Sequence, residues 1–329
     1  MSSWLLKTAL QRAISGLPHP EWWNGILQRY VTGGLRLQPH GEFQRKLQAC
    51  RRHFDYYRAF SRQPHDEFTV VEVGTGWFPI IPIGLYLCGA SEIWTFDIVR
   101  LLRKDTLCKL IEYFCLFAQT GELSRILPAV RSSSLSKLLE LAPLATKVSP
   151  VEFLERLSIH ALVQDVRRSG LADGSADMVF SHGVLEHFPP PMLAEALGEL
   201  RRVCSEDSVT SHFIGMADQF ASFDKSITAF NNLRYSARAW RWLNNSLIPQ
   251  NRLRISDYRR AFGEAGLDIV AEEDLNGPES DLASIRLAAE FEHYDRQDLL
   301  TLFSWLVGRP VEVPTKAEKC TADRGPTAV

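Results

Sequence analysis

Hydrophobic positions along the chain follow two rhythms. Short, β-branched or aromatic runs stand at Phe68–Val73, Ser91–Ile98, His160–Asp165, Met178–Phe180 and Ser208–Gly215, and these read as strands. Between and beyond them, apolar positions recur at helical spacing, as in Ile80–Leu87, Met192–Val203 and Ser256–Gly266. Strands alternating with helices predict an α/β fold with a mostly parallel sheet. Residues 1–62 read as helical, broken at Pro18-His19-Pro20, with apolar and basic positions interleaved through Ile26–Val31 and Phe43–Phe54. We expect them to form a helical N-terminal cap.

The connection 99–158 is far longer than a strand–helix–strand crossover needs, so it reads as a mostly helical insertion above the carboxyl edge of the sheet, with a loop at Ser132–Ser136. A second insertion, 216–256, is polar and aromatic. Leu267–Ala271 and Leu282–Ala288 read as a closing antiparallel hairpin, and Asp298–Leu306 as a terminal amphipathic helix. The tail Lys316–Val329 is expected to be disordered. The expected division is therefore a cap over 1–62, a central domain over 63–290 with the two insertions, and a C-terminal helix and flexible tail over 291–329.

Composition narrows the class. The 329 residues carry a formal net charge of −2, with 45% hydrophobic and 23% charged residues, ordinary values for a soluble globular chain. That balance gives no polyelectrolyte signal for nucleic acid. No apolar run is long enough to span a membrane, and Met1–Lys7 lacks the features of a secretory signal. The 6 cysteines are scattered without a Cys-x-x-Cys pair, which fits a reducing, cytoplasmic setting.

The chemistry concentrates after the first strand, in Glu72-Val73-Gly74-Thr75-Gly76-Trp77-Phe78-Pro79. Two glycines let the backbone approach a ligand closely, and the helix beyond offers free N–H groups. A dinucleotide turn would carry a third glycine where this chain has Phe78 and Pro79. An acid two residues before Gly74 suits a ligand with a positive amine instead. Asp97 ends the second strand, 25 positions after Glu72, near the spacing at which an acid meets ribose hydroxyls.

Three stretches together resemble the class I S-adenosylmethionine-dependent methyltransferases: the hydrophobic-Glu-x-Gly-x-Gly turn, Asp165 after strand three, and Asp177–His187 with its Leu185-Glu186-His187. The resemblance covers roughly residues 65–290. It implies a Rossmann-like methyltransferase sheet, mostly parallel with an antiparallel last strand. It also implies S-adenosyl-L-methionine as cofactor, held by Glu72, Gly74, Thr75, Gly76, Trp77, Asp97, Ile98, Asp165, Val166, Ser181 and His182. The family's Pro-Gly-Gly turn before strand five is replaced here by Cys204-Ser205-Glu206-Asp207. The region 211–253 is similar to a bacterial subgroup associated with polysaccharide or secondary-metabolite pathways.

Methyl transfer from a sulfonium is an in-line displacement, so the site must align donor and acceptor, exclude water and, where needed, remove a proton. Candidate bases are His182, His187 and His212; His187 could instead brace a helix start, and His212 could be a core residue. Asn251, Arg252, Arg254 and Tyr235 are candidates for binding an anionic acceptor, or else a solvated loop. No His-Glu-x-x-His pattern appears, and no metal site is expected. The expected activity is methylation of an oxygen or nitrogen on a small-molecule biosynthetic intermediate, a secondary metabolite or sugar. The aromatics of 220–242 could line a pocket or a homodimer interface. A non-catalytic methyltransferase-like binding protein is the alternative, and an NAD(P)-dependent oxidoreductase a weaker one, lacking a Tyr-x-x-x-Lys pair.

Overall fold

The computed structural model describes residues 37–222, 224–244 and 249–311, together with residues 4, 5, 8–10 and 12. The expected helical run at Ile26–Val31 and the tail from Lys316 lie outside the described residues, as do Phe223 and Asn245. Seven strands form one sheet: β1 (Phe68–Val73), β2 (Ala90–Asp97), β3 (Ile159–Val163), β4 (Ala176–His182), β5 (Cys204–Gly215), β6 (Leu267–Asn276) and β7 (Thr301–Pro310). Their order across the sheet is β3-β2-β1-β4-β5-β7-β6. Neighbours from β3 to β5 pair in parallel, and β7 runs antiparallel to both β5 and β6. The order reverses between β1 and β4, which opens a crevice at the carboxyl ends of those strands, where open α/β sheets bind ligands.

Alternation along each strand divides the core into two faces. Phe68, Val70, Ile93, Phe180 and Trp305 face α1 (Gln44–Phe60), α2 (Ile80–Leu87) and α3 (Lys104–Gln119). Val71, Val73, Val179 and Leu306 face α5 (Pro190–Val203) and α7 (Ile255–Glu264) across the sheet. Helix α1 docks because Leu47, Cys50, His53 and Tyr57 make one buried stripe at helical spacing. Its Tyr57 ring stacks on Phe68 with centroids 4.5 Å apart. Among the described residues, no helix is long and apolar enough to cross a membrane.

The structure corrects several sequence expectations. Residues 99–158 do not sit above the carboxyl edge; their apolar positions, among them Leu110, Phe114, Leu138 and Phe153, extend the core on the α1–α2 face. The segment reaches the opposite end of the sheet, where the Arg131 N–H donates to the Leu87 carbonyl at 2.8 Å. It is an enlarged β2-to-β3 crossover. The serines at 132–136 open α4 (Ser132–Leu141) instead of forming a loop, because the first turn of a helix tolerates residues that compete for backbone N–H groups.

The closing hairpin pairs Leu267–Asn276 with Thr301–Pro310, not with 282–288. Glu279–Ala283 is a short helix, and the expected terminal helix stops at Leu300 before the chain enters β7. Strand β7 lies between two others with both faces covered, so its apolar run carries no alternation to distinguish it from a buried helix. The sheet therefore closes beyond residue 290.

Candidate active site

The turn after β1 has Gly74 at φ 86° and Gly76 at φ 62°, both in the left-handed region. A β-carbon on Gly74 would lie 2.4 Å from Val184 Cγ2, whereas one on Gly76 would meet nothing within 4 Å. Gly74 thus lets the β1 and β4 turns touch, and Gly76 leaves the crevice open. Beneath the turn runs a hydroxyl chain. Thr95 Oγ1 donates to Glu72 Oε2 at 2.6 Å, and Thr75 Oγ1 then donates to Thr95 Oγ1 at 2.5 Å. Glu72 is only 4% exposed. Burial pushes its carboxyl up to about 7, against the Thr95 hydrogen bond and the charge of Lys46.

Asp97 closes β2 with its carboxylate pinned by backbone: Gly76 N–H donates to Oδ2 at 2.9 Å, and Val99 N–H to Oδ1 at 3.1 Å. Burial raises its pKa in spite of these bonds. Beside it Ile98 is 76% exposed and Val163, at the end of β3, 51% exposed. They are apolar surfaces flanking the same end of the sheet. Asp165 accepts the Arg167 N–H at 3.0 Å and is gripped by the Arg167 guanidinium, which holds its carboxyl below the ordinary range. Val166 is buried in the α5–α7 core, so its side chain is not available to a ligand.

The histidines separate by sheet face. His182 stacks on Phe213 at 4.8 Å and meets His53 of α1, with ring centroids 5.6 Å apart. Its Nδ1 is buried without a partner, and burial, then the charge of Lys46, pushes its pKa down to about 3. His212 points the other way, edge-on to Phe262, with Nδ1 2.8 Å from Ser181 Oγ. It is fully buried, and burial holds it neutral with a pKa of about 3. His212 and Ser181 are therefore core partners on the α7 face: His212 takes the core alternative to a base, and Ser181, expected to hold the cofactor, is fully buried. His187 Nδ1 lies 2.5 Å from the Pro249 carbonyl and donates to it, which ties the turn after β4 to the second insertion.

The expected anion clamp does not form. Arg254 is 0% exposed, and its guanidinium donates to the carbonyls of Met216, Asp298, Leu299 and Thr301. Arg252 donates to the carbonyls of Asn232 and Tyr235 and to Glu290, between the rings of Trp240 and Phe291. Asn251 Nδ2 donates to the carbonyls of Leu185 and Phe188. These three side chains hold the insertion together. Tyr235 stands apart, half-buried at the rim of an open groove of about 460 Å³ with Arg238, Trp242 and Leu243.

Sequence reasoning passed over Lys46. It falls four residues before Cys50 and seven before His53 on the buried stripe of α1, so a lysine on an apolar face was the available signal. Burial lowers its pKa, and it lies close enough to Glu72 and His182 to act on both. Glu186 was also passed over. It is buried against Gly215, whose N–H donates to Oε1 at 3.2 Å, and Oε2 has no partner. Among the described residues no group of three or more His, Cys, Asp or Glu side chains could hold a metal ion.

Residues 132–210 match the family model for a methyltransferase domain. No curated protein matches the chain. Similar solved structures include geranyl diphosphate C-methyltransferase from Streptomyces coelicolor A3(2), at 10% identity and TM-score 0.45, covering 87% of this chain and 88% of that one. Another is 1,6-didemethyltoxoflavin-N1-methyltransferase from Burkholderia thailandensis, at 12% identity and TM-score 0.43, covering 90% and 92%. At such scores these likenesses carry no weight; the strand order and the site stand on this chain's own residues. The methyltransferase-domain match over residues 132–210, the sheet order and the Glu72–Gly76 turn at the switch point all point the same way as the resemblance read from the sequence.

Proposed function

We propose that the protein transfers the methyl group of S-adenosyl-L-methionine to an oxygen or nitrogen of a small-molecule biosynthetic intermediate in the cytoplasm. The observation that carries this is Glu72: a buried carboxyl with a raised pKa, one oxygen held by Thr95, beneath the open side of the Gly74–Gly76 turn. Such a group calls for a positive partner, which the ammonium of the cofactor supplies. Lys46, a cation on α1 whose charge acts on Glu72, pairs with the cofactor's carboxylate in this reading. Asp97 is the acceptor for ribose hydroxyls, and Ile98 the apolar surface for the adenine. Asp165 serves the adenine amino group only by sharing its carboxylate with Arg167.

When bound, the cofactor supplies an electrophilic methyl on a sulfonium. The chain's own part is to bind, align and dry the site. Phe213 and His182, at the carboxyl ends of β5 and β4, and Trp305, midway along the antiparallel β7, form a wall of rings that excludes water from the α1 side. His182, neutral at physiological pH, orients the acceptor through Nδ1 in this reading and is too weakly basic in the free protein to hold a proton. An acceptor that is already nucleophilic needs no stronger base.

Calorimetric titration tests the reading. We expect micromolar S-adenosylmethionine affinity, weakened by Asp97→Ala and by Lys46→Met. Absence of binding in a folded protein would overturn it.

A further inference from the structure

Three consecutive residues at the end of β5 are each gripped by a buried polar side chain, and each of those side chains has one oxygen left over. Gly215 N–H donates to Glu186 Oε1 at 3.2 Å; Asn232 Nδ2 donates to the Met216 carbonyl at 3.3 Å; Gln250 Nε2 donates to the Ala217 carbonyl at 2.6 Å. Glu186, Asn232 and Gln250 are 9%, 0% and 4% exposed. Glu186 Oε2, Asn232 Oδ1 and Gln250 Oε1 are buried with no hydrogen-bond partner.

The amide orientations are fixed by chemistry. Each NH₂ faces a backbone carbonyl, so rotating either amide would set oxygen against oxygen. All three unmet atoms are therefore acceptors. Buried acceptors without donors are costly and rare in a folded protein, and three belong to the side chains that hold residues 215–217. Glu186 adjoins the turn after β4: its Oε1 lies 3.6 Å from where a β-carbon of Gly183 would stand, directly after His182.

We propose that Glu186, Asn232 and Gln250 bind the methyl acceptor, and that this acceptor presents hydrogen-bond donors, amine or hydroxyl groups, where they meet it. A carboxylate or phosphate there would confront three acceptor oxygens with no donor among them, and Arg252 and Arg254 are spent on backbone carbonyls and Glu290. The inference rests on the methyltransferase reading and narrows its substrate class.

The test uses the full-length protein saturated with S-adenosylhomocysteine, whose binding is measured first. Two matched probe series, on a hexose and on a phenyl ring, each carry an amine, a hydroxyl, a carboxylate or a phosphate, and are ranked by ligand-observed NMR. Amine or hydroxyl members should bind about tenfold tighter than the anionic ones, the scale of one or two hydrogen bonds. A response to amines alone assigns a cationic acceptor, and to hydroxyls alone a neutral one. Glu186→Gln and Gln250→Leu should each weaken the favoured probe by about fivefold or more while the S-adenosylhomocysteine affinity, which reports the fold, stays put. Preference for the anionic members, indifference to both variants, or no probe bound at all would overturn the inference. Failure to bind S-adenosylhomocysteine would instead remove the methyltransferase reading beneath it.

Discussion

Gly74 and Val184 touch across the switch point: a β-carbon on Gly74 would lie 2.4 Å from Val184 Cγ2. The contact joins the turn after β1 to the turn after β4, so the two halves of the crevice are set by one missing methyl group. Gly74→Ala must both enter the left-handed region, at a cost of about 1 kcal/mol, and displace Val184. Gly76→Ala carries the backbone cost alone. We expect the Gly74 variant to lose more thermal stability than the Gly76 variant. Cofactor affinity should fall in both, measured by calorimetry beside a melting curve.

Glu72 predicts a pH dependence with a definite sign. Its pKa is raised from 4.5 to about 7 in the cofactor-free protein, so between those values the folded state binds the extra proton. The cofactor-free protein should lose stability as pH rises from about 4.5 to about 7, by an amount on the order of 3 kcal/mol. An ammonium at Glu72 reverses the preference, so cofactor affinity should rise with pH until Glu72 is fully ionised. Glu72→Gln should flatten both curves, read from melting temperatures and titrations across that window.

His182 and His212 give the opposite slope at lower pH. Each is held near a pKa of about 3 against an ordinary 6.5, so the unfolded chain takes up protons first. Stability from both should be complete above pH 6.5 and fall as pH drops toward 3. His212→Leu should reduce this acid sensitivity while leaving cofactor affinity intact, because its ring is on the α7 face. His182→Ala should lower methyl transfer as well. Equal loss of turnover in the two variants would contradict the assignment of faces.

Arg254→Met leaves buried carbonyls on Met216, Asp298, Leu299 and Thr301 without their donor. At roughly 1–3 kcal/mol for each unmet group, the expected result is a severe loss of folded protein, seen as reduced yield and melting temperature, instead of a raised KM.

The sequence made the β1 turn legible because a buried strand, an acid and two glycines are local features. Asp97 was legible for the same reason. What could not be read was register and direction. Ser181 pairs with His212 across β4 and β5, and only that pairing shows that the two histidines, His182 and His212, occupy opposite faces. Arg254 read as an anion-binding or solvated cation because its partners are backbone carbonyls, which leave no trace in residue identity. Strand β7 read as a helix because burial on both faces erased its alternation. Lys46 was the legible signal passed over, a charge on an apolar stripe.

In the proposed function the Glu72–Gly76 turn holds the methionine end of S-adenosylmethionine with Lys46 opposite. Calorimetric titration of wild type and Lys46→Met with S-adenosylmethionine, and separately with NADH, tests it most directly. The account predicts micromolar binding of S-adenosylmethionine, a weakening of about tenfold in Lys46→Met as one charge-assisted hydrogen bond is lost, and no heat with NADH. Binding of NADH alone, or S-adenosylmethionine affinity unmoved by the loss of Lys46, would contradict it.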